Sequence, residues 1–220
     1  YNEKYLPETQ QINLDFEIKK VIFDKNFQID KSHLEFVPKK TDKDKTHFYS
    51  FFTEQYKNDI IITDYIGNIY LIKKDSLLSN KKKLKPKKIT TNLKVDKVLD
   101  IFVHKDELFV SYAVGRENNC YNWNISKANL ITNKINFVNF YSSKECTDQN
   151  FYQPNGGRIQ SYTHENKTGI LITIGDNTFK KMEEDSILGK ILFIPFDGSD
   201  IVKFSSGHRN TQGLWAEDSI

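Results

Sequence analysis

Three times along this chain a run of β-branched and aromatic residues meets a short polar turn and is followed by a second such run. "NDIIITDYIGNIYLIKKD" (Asn58–Asp75) is the first, with its turn near Gly67 and Asn68. "DELFVSYAVGRENNCYNWNI" (Asp106–Ile125) is the second, and "TGILITIGD" (Thr168–Asp176) opens a third that "GKILFIPFDGSD" (Gly189–Asp200) completes. Such side chains suit a pleated, half-buried surface, and alternation with period two marks strands. The strand starts at Asp59, Glu107 and Gly169 lie 48 and 62 residues apart. That spacing fits four-stranded units with loop insertions better than solenoid repeats. The chain therefore reads as all-β, a β-propeller of four-stranded antiparallel blades, of which it supplies roughly three to four. Residues 1–220 are taken as one partial propeller domain. A ring needs roughly four to eight blades to protect its strand edges, so the missing half is expected C-terminally or from another chain.

Outside the repeats the patterning is weaker. Leu14, Phe16 and Ile18 alternate in "LDFEIKKVIFD" (Leu14–Asp24), and "SHLEFVPKK" (Ser32–Lys40) is a second short strand candidate. "KKTDKDKTH" (Lys39–His47) is a polar loop, and "FKKMEEDSILGK" (Phe179–Lys190) is the one segment with a helical option. The 16 Phe and 11 Tyr, against a single Met, tilt the whole chain toward strands. No apolar run approaches the roughly 18 residues a membrane span needs. The first residue is Tyr1 and no charged-then-apolar leader precedes the repeats, which suggests a processed product or a fragment.

The net charge of +3 hides a skewed make-up, because only Arg116, Arg158 and Arg209 among the 32 basic residues are arginines. The lysines and the abundant Asn and Ile read as a genome-composition bias, and no nucleic-acid partner is indicated. The one basic cluster, "KKKLKPKK" (Lys81–Lys88), reads as a solvated loop or an anionic-partner site. No aromatics interleave with it as single-strand binding requires. Cys120 and Cys146 bracket two strand-like segments around Thr132-Asn133-Lys134. A hairpin there brings the two thiols within reach of a disulfide, which would mark an exported protein; two unpaired buried thiols are the other reading.

Gly207, His208, Arg209, Asn210, Gln212 and Gly213 crowd into seven residues near the end of the chain. Glycines free the backbone, while Arg, Asn and Gln carry planar donors that fork onto a flat anion. A polar turn capping a strand is the plainer reading.

Three segments in series resemble the glucose/sorbosone dehydrogenase family, soluble quinoproteins that carry pyrroloquinoline quinone on a six-bladed propeller. They are "NGGRIQSYTHENKTGILITIGD" (Asn155–Asp176), "SILGKILFIPFDGSD" (Ser186–Asp200) and "GHRNTQGLWAED" (Gly207–Asp218). "VLDIFVHKDELFVSYA" (Val98–Ala113) is a weaker echo upstream. The resemblance implies a quinone-dependent oxidation of a sugar or alcohol, with pyrroloquinoline quinone and calcium as cofactors. It implies Arg209 and Asn210 as cofactor contacts, a periplasmic or secreted location, and the first half only of the family's length. Arg158 is expected to be structural, bonding blade carbonyls. One departure stands out, since the family's general base, a His, is replaced here by Pro154, which cannot titrate. His208 is the substitute base candidate, unless it packs locally; His164, in a turn, is expected on the exposed surface. The family's calcium ligands lie beyond the third motif, so no metal ligand is expected in this chain. The alternative function is a non-catalytic extracytoplasmic propeller that binds carbohydrate or a protein partner.

Overall fold

The computed structural model describes residues 51–73, 86–116, 120–131, 134–148, 155–176 and 184–216. These residues form three antiparallel sheets whose strands follow chain order. The first sheet holds β1 (Phe51–Tyr56), β2 (Asp59–Asp64), β3 (Ile69–Lys73) and β4 (Lys87–Ile89). The second holds β5 (Lys97–His104), β6 (Glu107–Arg116), β7 (Cys120–Asn129) and β8 (Val138–Ser142), with the short β9 (Thr147–Asp148) returning to pair with β7. The third holds β10 (Gly156–His164), β11 (Lys167–Ile174), β12 (Lys190–Pro195) and β13 (Val202–Ser206). Four-stranded meanders in series are propeller blades. The three sequence repeats coincide with the blades, each repeat marker falling at or near the start of a second strand.

Each blade turns between its first two strands through two residues, and the turn residues carry the conformation. Lys57, Lys105, and both Glu165 and Asn166 have positive φ, the last pair at 49° and 63° as a type I′ hairpin requires. These hairpins also join neighbours. Asp106, in the turn of the second blade, accepts from the Tyr56 hydroxyl at 2.6 Å and pairs with Lys57 at 3.0 Å in the turn of the first.

Blades stack face to face through two apolar layers. Ile61 and Ile69 of the first blade meet Val98, Ile101, Leu108 and Val110 of the second. The opposite face of the second blade, with Leu99, Phe109, Trp123 and Ile125, meets Ile159, Ile170, Ile172 and Ile174 of the third. Alternation in β6 explains the sorting: Leu108 and Val110 face one way, Phe109 the other, and all three are fully buried. The far face of the third blade is only partly covered. Leu171, Ile191 and Phe193 are buried under Tyr162, Leu214 and Ala216, while Phe204, Ile201 and Val202 are exposed.

The first strands lie innermost, since β5 packs against both β1 and β10. Close approach there depends on Gly157, at φ 83°, where an added Cβ would fall on the Leu99 side chain. Cys120 and Cys146 form a disulfide, with Cα atoms 5.6 Å apart, where β7 begins and β9 pairs with it at Cys120↔Asp148.

Two expectations need correction. The helical option over Phe179–Lys190 fails in its described part, where Glu184–Leu188 is irregular and Lys190 opens β12. The amides of Ile187 and Leu188 are taken by Glu145 Oε2 and Ser186 Oγ, and Gly189 turns with φ 67°, so no helical ladder forms. The lysine cluster is not wholly loop either, because Lys87 and Lys88 are exposed residues of β4. Its remainder, the strand candidates at Leu14–Asp24 and Ser32–Lys40, the loop Lys39–His47, and the turn residues Thr132 and Asn133 lie outside the described residues. No helix among the described residues is long and apolar enough to cross a membrane.

The disulfide closes a loop with a sequence separation of 26. On the chain-entropy account such a closure stabilises by about 3 kcal/mol. Replacing Cys120 and Cys146 together by Ser should lower the unfolding free energy by roughly that amount in urea titrations. Equal midpoints and slopes for the two proteins would show that the bond constrains nothing.

Candidate functional site

The glycine-flanked loop Gly207–Gly213 follows β13, and it is tied residue by residue to the end of the third blade. His208 N donates to Gly189 O at 3.0 Å, and Arg209 O accepts from Asp176 N at 2.9 Å. Asn210 Oδ1 accepts from Gly156 N at 3.2 Å and also from Gln212 Nε2. Thr211 O accepts from Thr173 Oγ1 at 3.3 Å, and Gln212 O accepts from Arg158 Nε at 2.7 Å. The loop is thus a fixed polar platform built on the Gly-Gly-Arg start of β10 and the end of β11. Gly207 adopts φ 94° to leave β13, and a Cβ at Gly213 would meet nothing.

Of the residues singled out in the sequence, Arg209 and Asn210 therefore sit together, and both are exposed. Asn210 spends its side-chain oxygen on the Gly156 amide and on Gln212, and its NH₂ is its remaining side-chain donor. His208 is half-buried, with Nε2 2.7 Å from Ser205 Oγ and its backbone on Gly189, so it is engaged locally. Pro154 lies outside the described residues. His164 departs from its expected exposed position: the turn is Glu165-Asn166, and the His164 ring is half-buried edge-on to Phe193 and Phe204 at 5.6 and 5.5 Å.

Arg158 is the hub beneath the platform. Its Nε holds Gln212 O, and its Nη1 lies 3.3 Å from both Leu99 O and Asp100 Oδ1. The guanidinium also stacks over Phe52 of β1, 5.3 Å from the ring centroid. It therefore bonds blade carbonyls. One side chain touches all three blades and the loop.

Asp100 faces Arg158 from β5, and its Oδ2 accepts from Ile159 N at 3.0 Å. Burial pushes its carboxyl up, while the Ile159 amide and the guanidinium pull it down. Glu54 of β1 is the second carboxylate at this inner face. Burial and then the charge of Asp100 raise it to about 7, against a weaker pull from the Val103 amide. Sequence reasoning missed Asp100, Glu54 and Phe52. One signal was there: Asp100 is a lone carboxylate inside the apolar run Val98–Val103. Among the described residues no group of three His, Cys, Asp or Glu side chains stands together as a metal site.

No protein-family model matches the sequence. No curated protein matches it either. Solved structures do. The chain is similar to a crystal structure of glucose dehydrogenase, with TM-score 0.57 and 17% identity over 74% of this chain and 51% of that one. A second glucose dehydrogenase structure aligns with TM-score 0.54 and 16% identity, over 73% of this chain and 56% of that one. At such identities the likeness is one of fold: the three sheets are blades of a β-propeller, as in those structures. The chain spans about half the length of these structures.

Glu54 makes stability depend on pH. Its carboxyl titrates near 4.5 in an unfolded chain and near 7 in the fold, so the folded protein holds a proton that the unfolded chain has released. Its stabilising contribution is complete below 4.5 and is lost as pH rises through 7. The denaturation midpoint should fall across that window, and Glu54→Gln should flatten the slope. Parallel pH profiles for the two proteins would overturn this assignment.

Proposed function

We propose that the chain is part of a quinone-dependent, glucose/sorbosone dehydrogenase-like propeller whose Gly207–Gly213 platform contributes Arg209 and Asn210 to an anionic cofactor site. The observation that carries the reading is the fixed platform itself. Its backbone and the Asn210 oxygen are engaged in holding it, so the exposed residues Arg209 and Asn210 are carried on a backbone that need not be ordered on binding. Pyrroloquinoline quinone is a planar tricarboxylate, and a guanidinium with a neighbouring amide suits its edge. Bound there, the quinone would supply the acceptor for hydride from a sugar or alcohol. The chain's own part is to bind and orient that anion through Arg209 and Asn210. Calcium, if the assembled protein uses it, is held by residues outside those described.

The half-covered face of the third blade, with exposed Phe204, Ile201 and Val202, supports completion of the ring by further strands of the same precursor or of another chain. The Cys120–Cys146 disulfide supports a periplasmic or secreted location.

A second reading is a non-catalytic propeller that binds carbohydrate or a protein partner. It is favoured by the histidines. The family's base position is Pro154, and the described histidines are engaged elsewhere: His208 on Ser205, His104 against Phe196 and His164 against Phe193.

Titration of the completed protein with pyrroloquinoline quinone, with and without calcium, tests the first reading by absorbance and melting temperature. Saturable uptake with a rise in melting temperature is expected. Arg209→Ala should weaken that uptake tenfold or more, about 1.4 kcal/mol. No uptake at high micromolar quinone would overturn the cofactor assignment. With quinone bound, Pro154→His should confer dye-linked sugar oxidation; no gain in a quinone-binding protein favours the non-catalytic reading.

A further inference from the structure

We infer that Arg158, held by Asp100, is a positioning residue for the anion platform: it fixes the Gln212 end of the loop, and through it the place of Arg209. The inference rests on the proposed anion site but concerns a residue that does not touch the ligand.

The geometry argues it in two steps. First, Arg158 is engaged within the protein through Nε, Nη1 and one face of its guanidinium. Nε serves Gln212 O, Nη1 serves Leu99 O and Asp100 Oδ1, and one guanidinium face covers Phe52. A fork so occupied has little left to offer a ligand, and its side chain is only 26% exposed. Second, its bond falls where the loop has least other support. Gly213 follows directly, with open space around it, and Gly207 precedes with φ 94°. Between two glycines, the platform keeps its shape through the four consecutive ties at Arg209, Asn210, Thr211 and Gln212. Only the Arg158 tie comes from a charged donor, the stronger kind of hydrogen bond. Its donor is also itself anchored to another blade, through Leu99 and Asp100 of β5. Arg209 therefore takes its register from the contact between the second and third blades.

Hydrogen–deuterium exchange on the full chain without quinone is the primary test. Arg158→Lys keeps the charge but cannot reach Gln212, Leu99 and Asp100 at once. Exchange at the Asp176 and Gly156 amides, which donate into the loop, should rise at least tenfold, with β11 amides from Ile170 to Ile174 unchanged. Asp100→Asn, which removes the anchor's charge while retaining an acceptor, should produce a smaller rise at the same amides. Unchanged exchange at Asp176 and Gly156 in both variants overturns the inference. So does a rise spread evenly over β10–β13, which would make Arg158 a general stabiliser of the blade.

A double-mutant cycle with pyrroloquinoline quinone as the probe supplies the second readout. Arg158→Lys and Arg209→Lys should each weaken binding about tenfold, and the double variant should bind less than threefold more weakly than Arg209→Lys alone. Fully additive losses would mean that Arg158 acts independently of Arg209 and would overturn the positioning role. If the wild-type protein takes up no quinone, the cofactor reading fails, and the exchange experiment alone decides the inference.

Discussion

A guanidinium at the meeting point of three sheets governs the rest of this architecture. Arg158 lies where the innermost strands β1, β5 and β10 converge, and it supplies donors to the Leu99 carbonyl of β5 and to the Gln212 carbonyl of the loop. Buried carbonyls without partners are costly, and a neutral side chain of similar length offers fewer donors in a fixed plane. The charge this brings inward is balanced by Asp100, whose other oxygen is occupied by the Ile159 amide. Breaking either partner leaves an uncompensated half-buried charge, the expensive outcome for such a pair. Glu54 lies near Asp100, and its raised affinity for a proton follows from burial and then from that neighbouring carboxylate.

The backbone had to be shaped before that side chain could reach its partners. Gly156 and Gly157 both take positive φ, and between Gly156 and Ile159 the register of β10 against β11 slips. A bulge of this kind re-aims a side chain at the end of a strand. Here it also lets the backbone at Gly157 lie against Leu99 and brings Gly157 O within 2.5 Å of Ser111 Oγ. β5 has its own irregularity between Val98 and Asp100, which puts Val98 and Ile101, three residues apart, into the same apolar layer. Two bulges facing each other across a blade interface thus create the polar hub inside an otherwise apolar stack.

Much of the fold was legible because alternation in a two-sided sheet leaves a direct trace: "DIIITD", "ELFVSYA" and "GILITI" fall in β2, β6 and β11. The turn at Glu165-Asn166 was readable as a break. The segment Phe179–Lys190 misled, since Met182, Glu183 and Ile187 satisfy a helical pattern, whereas in its described part the Ile187 amide is taken by the distant Glu145 and the Leu188 amide by Ser186. In the site, Arg209 and Asn210 were legible through a motif and Arg158 through its expected carbonyl bonds. Asp100, Glu54 and Phe52 were not. Their meaning lies in pairs separated by 58 residues in sequence for Asp100 with Arg158, and periodicity within a strand carries no information about which strand will face it.

The distribution of the arginines bears on where a ligand would sit. Lysines serve the solvated edges, as at Lys73 with Asp59 and Lys127 with Glu107, where a flexible point charge suffices. Arg158 fills a position where planarity matters, and it is enclosed. Arg209 is the same kind of side chain placed at the open end of a platform that Arg158 itself braces. The two arginines differ in setting, Arg158 enclosed beneath the loop and Arg209 exposed upon it, so the proposed anion site belongs to the loop and not to the blade interface beneath it.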